Sequence, residues 1–143
     1  MSKTMKKRKI FNVSLFSLAL VAFALFAFKP AVNYQDAWVV PEKYKSMENP
    51  MAGDDEAMEI GAELYDKYCK SCHGKTGLGD GPKAAELDTA SGDFSTEEFQ
   101  AQTDGELFYK TTFGRDDMPT FEKKISDEEE RWMVITYIRS FKE

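Results

Sequence analysis

The 143-residue chain contains two cysteines, one histidine and no surplus of positive charge. Each scarcity excludes something. Two cysteines are too few for a disulfide scaffold, and with a single histidine they cannot complete a four-ligand structural zinc site unless carboxylates help. With 25 acidic against 19 basic residues, a net charge of -6, the chain lacks the Lys and Arg excess that neutralises phosphates, which argues against a nucleic-acid binder. The length falls short of two independent globular domains and leaves room for one small core plus one targeting or membrane segment.

The basic residues are unevenly placed. Lys3, Lys6, Lys7, Arg8 and Lys9 precede an uncharged run from Ile10 to Phe28 in which only Asn12, Ser14 and Ser17 are polar. This order reads as an export signal whose basic end stays in the cytoplasm. At 19 residues the run exceeds the apolar core of a secretory signal, roughly 7 to 15 residues, and is long enough to span a bilayer. Ala22-Phe23-Ala24 offers a small-x-small cleavage site inside the run, and neither cysteine is near enough to accept a lipid. An uncleaved anchor over residues 1–28 is the favoured reading, a cleaved signal the second, and a buried core helix the third. Without those residues, which hold five basic groups and no acid, the charge of the remainder falls from -6 to -11. Residues 29–53 carry Pro30, Pro41 and Pro50 and show no sustained period, so they read as a linker. Its small apolar cluster, Trp38, Val39 and Val40, reads first as surface residues and second as a docking point. The folded domain is expected over 54–143.

The chemistry is concentrated in Cys69-Lys70-Ser71-Cys72-His73, the known attachment signature of a c-type haem. Two thiols three residues apart at a helix end can each form a thioether to one haem vinyl group. The next residue then presents an imidazole to the iron. A thioredoxin-like dithiol also uses two cysteines at this spacing, but it wants a strand before the motif and a helix starting at it. A zinc site needs a fourth ligand, and a structural disulfide explains neither the adjacent histidine nor the glycines that follow. Upstream, Met58, Gly61, Leu64, Tyr65 and Tyr68 recur at helical spacing behind Asp54, Asp55 and Glu56, so a helix runs into the cysteines. Downstream, Gly74, Gly77, Gly79, Gly81 and Pro82 form a loop suited to passing close to a flat macrocycle.

The run LYDKYCKSCHGKTGLGDGP resembles the attachment region of the class I, mono-haem cytochromes c, and the resemblance extends over about residues 54 to 143. It implies a small all-α domain wrapped around one covalent haem c. It also implies that the Pro82 carbonyl accepts the Nδ1 proton of His73, fixing the ring. Only Met118 and Met133 lie downstream of the motif as thioether donors for the sixth position. Met118 stands in the loop sequence FGRDDMPTF, whereas Met133 lies in the last helix beside Trp132 and reads as packing. The Met-Pro pair is similar to the family's distal motif, although Asp117 stands where many members have a small residue. The competing reading of Met118 is a packing or exposed methionine beside an open or water-filled site.

Thr103 to Glu106 and Ser126 to Glu129 have capping-box spacing ahead of Leu107, Phe108 and Phe113, and of Trp132 to Phe141. Val134, Tyr137, Ile138 and Phe141 share one helical face. The resemblance implies that Gly61 on the first helix meets an aromatic, Trp132 or Tyr137, on the last. The expected function is one-electron transfer rather than enzymatic turnover. The expected partners are a quinol- or substrate-oxidising donor and an oxidase or reductase acceptor, at the outer face of a bacterial-type inner membrane. A haem-based sensor or small haem enzyme with an open iron is the alternative. Residues 67–83 hold four lysines and one acid, a local +3 on a body that is otherwise strongly negative, so the haem edge is a candidate docking spot for an acidic partner. A plain solvated lysine face is the competing reading.

Overall fold

The computed structural model describes residues 37–142. The apolar run 10–28, with its expected fate as anchor or signal, lies outside the described residues. Among the described residues the regular structure is helical, interrupted only by an isolated bridge between Arg115 and Met118. None of the helices described is long and apolar enough to cross a membrane. In chain order they are α1 (Glu42–Lys45), α2 (Asp55–Tyr68), α3 (Lys70–His73), a 3-10 turn (Ala84–Glu86), α4 (Glu97–Gln100), α5 (Asp104–Phe113) and α6 (Glu128–Arg139).

Helix α2 starts where the Asp54 carboxylate accepts the Ala57 N–H at 2.9 Å, with Asp55 and Glu56 complementing the positive end of the helix dipole. Its buried positions, Ala57, Gly61 and Tyr65, recur every four residues and so form one stripe. That stripe lies on α6, and the two form the main helix pair. The crossing is close because Gly61 has no side chain: a Cβ there would overlap the Met133 carbonyl oxygen and lie 3.1 Å from the Tyr137 Cβ. Of the two aromatics expected opposite Gly61, the partner is therefore Tyr137. Trp132 turns the other way and stacks on Phe108, with centroids 4.0 Å apart and planes at 14°.

Helix α5 carries the expected capping box, the Thr103 hydroxyl accepting from Glu106 N–H and the Glu106 carboxylate from Thr103 N–H. The expected box from Ser126 to Glu129 is not used. Asp127 is the cap of α6, accepting the Glu129 N–H at 2.9 Å, because its carboxylate reaches the second helical N–H and the helix begins one residue later. Arg139, near the end of α6, ties it to the start of α5 by donating to Asp104 at 2.7 Å and to the Gln100 and Gln102 carbonyls. Trp132, Tyr65, Ile125, Ile135 and Val134 are the largest fully buried side chains.

The expected linker, 29–53, requires correction over its described part, since residues 38–53 belong to the same compact unit as the helices. Val40 is buried, and the Tyr44 ring packs on Tyr109 and Phe113 at 4.8 and 5.7 Å between centroids. Buried Asn49 donates to Thr136 Oγ1 at 2.9 Å, and Thr136 in turn donates to the Met51 carbonyl at 3.1 Å. These ties are side chain to distant chain, so no local periodicity announces them. In the Trp38–Val40 cluster, Val40 points in, Val39 is exposed and Trp38 is half-buried.

Replacing Gly61 by alanine forces α2 off the α6 backbone rather than off a flexible side-chain tip. Gly61→Ala is expected to lower stability by about 1–3 kcal/mol, the range for an overpacked core. Thermal or urea unfolding checks this, and an unchanged midpoint would show that the crossing can widen freely.

Candidate functional site

Cys69 both ends α2 and precedes α3. Its N–H donates to the Tyr65 carbonyl at 2.9 Å, and its own carbonyl accepts from Cys72 and His73 N–H at 3.1 and 3.0 Å. The motif thus occupies a single turn, bringing Cys69, Cys72 and His73 together at the end of the first long helix. Both cysteines are free thiols. Burial, reinforced by Cys72, raises the Cys69 thiol to about 12. That is the reverse of the lowered value that a reactive dithiol or a thiolate metal ligand requires.

A helix of one turn has more orphan carbonyls than it can satisfy internally. Here the following loop supplies the donors. Gly79 N–H donates to the His73 carbonyl at 2.9 Å, Gly81 N–H to Cys72 at 3.2 Å, and Lys83 N–H to Ser71 at 2.8 Å. The loop passes so close that a Cβ on Gly81 would stand 2.5 Å from the Ser71 carbonyl oxygen. At Gly81 the absence of a side chain is required by this contact with the protein's own backbone. Tyr65 anchors the turn from below, its hydroxyl donating to the Gly74 carbonyl at 2.9 Å. Burial pushes its pKa far above the ordinary tyrosine value, so it remains a donor.

The His73 ring lies on Phe94, with centroids 4.5 Å apart. Burial holds its pKa below the ordinary imidazole value, and the Ser91 main chain facing the ring pulls the other way. The ring is therefore neutral near pH 7, the form that binds a metal. Its Nδ1 is buried without a hydrogen-bond partner. The expected bond from Nδ1 to the Pro82 carbonyl is therefore not formed: the ring is turned onto Phe94, and Pro82 is exposed between Gly81 and Lys83, whose N–H groups hold the loop to α3. Phe94 and Ser91 were not singled out from the sequence. The one available signal was an isolated aromatic in the polar stretch SGDFST.

Met118 is half-buried and packs against the core. It closes a turn with Arg115, each N–H donating to the other's carbonyl at 2.9 Å, and Asp116 inside the turn has the left-handed φ of 51° that short polar side chains tolerate. Asp117, the departure from the family's pattern, has a structural role: its carboxylate accepts the Thr89 N–H at 2.9 Å and ties this turn to the loop that follows the attachment motif. Met133 sits on α6, where its carbonyl abuts Gly61.

Among the described residues no three His, Cys, Asp or Glu side chains stand together as a metal-ligand set. Cys69, Cys72 and His73 therefore form a metal centre only with a group that brings its own donors. A covalent haem fits this set: two free thiols for thioethers, and a neutral, buried imidazole with an unpartnered ring nitrogen.

Residues 56–138 match the family described as Cytochrome C oxidase, cbb3-type, subunit III. Among solved structures the chain is similar to a protein of the reducing HAO-like complex Kustc0457/Kustc0458 of Kuenenia stuttgartiensis, at 26% identity and TM-score 0.61 over 87% of this chain and 60% of that one. It thus spans about three fifths of that protein's length. It is also similar to the KustC0563 c-type cytochrome, at 27% identity and TM-score 0.50 over 58% of this chain and 98% of that one. No curated protein matches.

Replacing Tyr65 by phenylalanine leaves the Gly74 carbonyl beneath the attachment turn without its donor. Tyr65→Phe is expected to cost about 1–3 kcal/mol, the penalty for one unsatisfied buried acceptor. Urea unfolding of the purified protein reads the loss, and no change in midpoint would mean that water replaces the hydroxyl at no cost.

Proposed function

The chain belongs to the cytochrome c oxidase, cbb3-type, subunit III family of class I c-type cytochrome domains, and from that premise we propose that it is a mono-haem electron carrier held by residues 10–28 at the outer face of a bacterial inner membrane. Haem electron transfer follows from the family; the single haem, the anchor and the respiratory partners are the proposal. The observation that carries it is the attachment turn itself, with both thiols free and the imidazole neutral, buried and unpartnered at Nδ1.

Haem c, when bound, supplies a one-electron iron couple. The chain's residues hold and tune it. Cys69 and Cys72 would carry the thioethers, and His73 and Met118 would supply the protein's two ligands to the iron. A neutral thioether from Met118 would raise the potential of the iron and occupy the place open to oxygen, which suits transfer rather than oxygen chemistry. Phe94 excludes water from one face of the imidazole, and the 79–83 loop fixes the turn that bears it. The chain's likeness to a protein of a redox complex supports redox protein partners. A donor oxidising quinol or substrate and an oxidase or reductase acceptor are the partners proposed, with no nucleic acid among them.

The lysines near the motif are not equivalent. Lys70 pairs with Asp66, and Lys67 lies over the Tyr68 ring at 4.8 Å, whereas Lys75 and Lys83 are exposed on the loop. Positive steering of an acidic partner therefore rests on Lys75 and Lys83.

Three experiments test these readings. Protein purified from membranes is expected to stain for haem after denaturation, at a mass that includes residues 1–28 and one haem. Met118→Ala is expected to keep that haem, lose the sulfur-to-iron absorption band, lower the potential and admit carbon monoxide to the reduced iron. A band unchanged in the variant would remove Met118 as ligand, and free carbon monoxide binding by the wild type would favour a sensor or enzyme. In stopped-flow oxidation by an acidic redox partner, Lys75→Gln with Lys83→Gln is expected to slow transfer at low salt and flatten the salt dependence. Lys70→Gln is expected to do less, and equal salt slopes in all variants would overturn the docking assignment.

A further inference from the structure

Trp38 lies at the start of the described chain, yet its ring contacts the turn that carries the distal ligand. The Arg115 guanidinium stands 4.7 Å from the ring centroid, and Lys110 Nζ approaches the ring at 5.7 Å. Arg115 is the residue whose N–H and carbonyl both pair with Met118. Its guanidinium also meets the Asp116 carboxylate inside the same turn at 3.2 Å, so the indole covers a side chain that is tied to the turn at both its backbone and its tip. Gly114, just before it, lies against the Met118 carbonyl and Pro119, so the turn moves as one piece.

The Trp38 ring is itself held in place. Two residues on, Val40 is buried, then Tyr44 packs on Tyr109 and Phe113 of α5, and Asn49 is bonded to Thr136 of α6. Residues 38–53 thus form a strap fixed to both helices, with the indole at its leading end laid on the base of the distal turn.

We propose that Trp38 is a positioning residue for the distal ligand: its ring on the Arg115 guanidinium holds the 115–118 turn in the geometry that presents Met118 to the iron. The proposal rests on the reading of Met118 as iron ligand. It makes the strap, the part of the domain that joins the apolar run 10–28, a determinant of how often the methionine is in place. A cation on an indole face has an interaction sufficient to change the released fraction several-fold.

The test uses the full-length haem-loaded protein and three variants: Trp38→Ala, Trp38→Phe and, as a stability control remote from the turn, Asp54→Ala, which removes the cap of α2. Trp38→Ala is expected to weaken the sulfur-to-iron band, speed hydrogen exchange at the Arg115 and Met118 amides, and raise the rate of carbon monoxide binding to the reduced protein about fivefold. Trp38→Phe should restore most of each signal, and Asp54→Ala should move none of them at a comparable loss of thermal stability. Indistinguishable spectra, exchange and carbon monoxide rates in Trp38→Ala and Asp54→Ala would overturn the proposal. Should Trp38→Ala fail to hold haem, Arg115→Gln removes the same contact from the other side, and an unchanged band there overturns it equally. If Met118→Ala keeps the band, the ligand reading fails by itself, while amide exchange at 115 and 118 still reports whether Trp38 holds the turn.

Discussion

The arrangement of the site depends on three carbonyls that have no partner within their own helix. A turn as short as Lys70–His73 cannot satisfy the C=O groups of Ser71, Cys72 and His73 internally, and each takes its donor from the loop that follows, at Lys83, Gly81 and Gly79. Backbone-to-backbone bonding at three successive positions leaves no room for side chains between loop and turn, which is why Gly81 meets the Ser71 carbonyl. Once this loop is fixed, the chain continues through Thr89, held by Asp117, to Phe94, whose N–H donates to Gly77 and whose ring covers the imidazole. The attachment turn and the Met118 turn are thus joined by main chain and one carboxylate.

The parts of this that can be read in the sequence are those set by local spacing. The attachment motif, the stripe of α2, the capping box of α5 and the shared face of Val134 and Ile138 all follow from residue types a few positions apart. What escapes is fixed by partners far along the chain. Asn49 reads as an ordinary polar residue near a proline until it is seen bonded to Thr136 and the Trp132 carbonyl. Ser126 and Asp127 are both good caps, and the choice between them depends on where α6 can start. Pro82 occupies the place that the resemblance assigns, but the orientation of the His73 ring, set by Phe94, decides whether its carbonyl is used.

The two buried or half-buried arginines of α6 show how an acidic chain holds cations inside. Arg131 is buried and donates through one guanidinium nitrogen to the carbonyls of Ile125, Ser126 and Asp127, while the nearest carboxylate, Glu128, is 3.9 Å away and mostly exposed. Its charge is met chiefly by main-chain dipoles at the turn that precedes α6. Arg139 does the same for Gln100 and Gln102 and adds one short pair to Asp104. Arg139 spreads its planar fork over a carboxylate and two carbonyls, whereas Arg131 works through one nitrogen and leaves its buried Nε without a hydrogen bond. Replacement of Arg139 by lysine would keep the charge and lose the geometry.

A thioether is a neutral, weak donor, so on the ligation proposed for Met118 the geometry of the loop would matter more than the strength of the bond. The loop around Met118 is correspondingly over-determined. The Thr112 carbonyl at the end of α5 accepts Thr120 Oγ1, Phe121 N–H and Glu122 N–H, closing the far side of the loop. Arg115 and Met118 close the turn itself, with Asp116 in a left-handed conformation between them, and Asp117 secures it to Thr89. Each tie uses a different partner element, and none passes through the sulfur. A loop constrained in this way has few arrangements to sample, so Met118 has lost most of its ordering entropy on folding, before any ligand is met. It follows that the placement of Met118 is set by residues that never touch its sulfur, and those that matter most are the ones that touch the turn between Gly114 and Pro119.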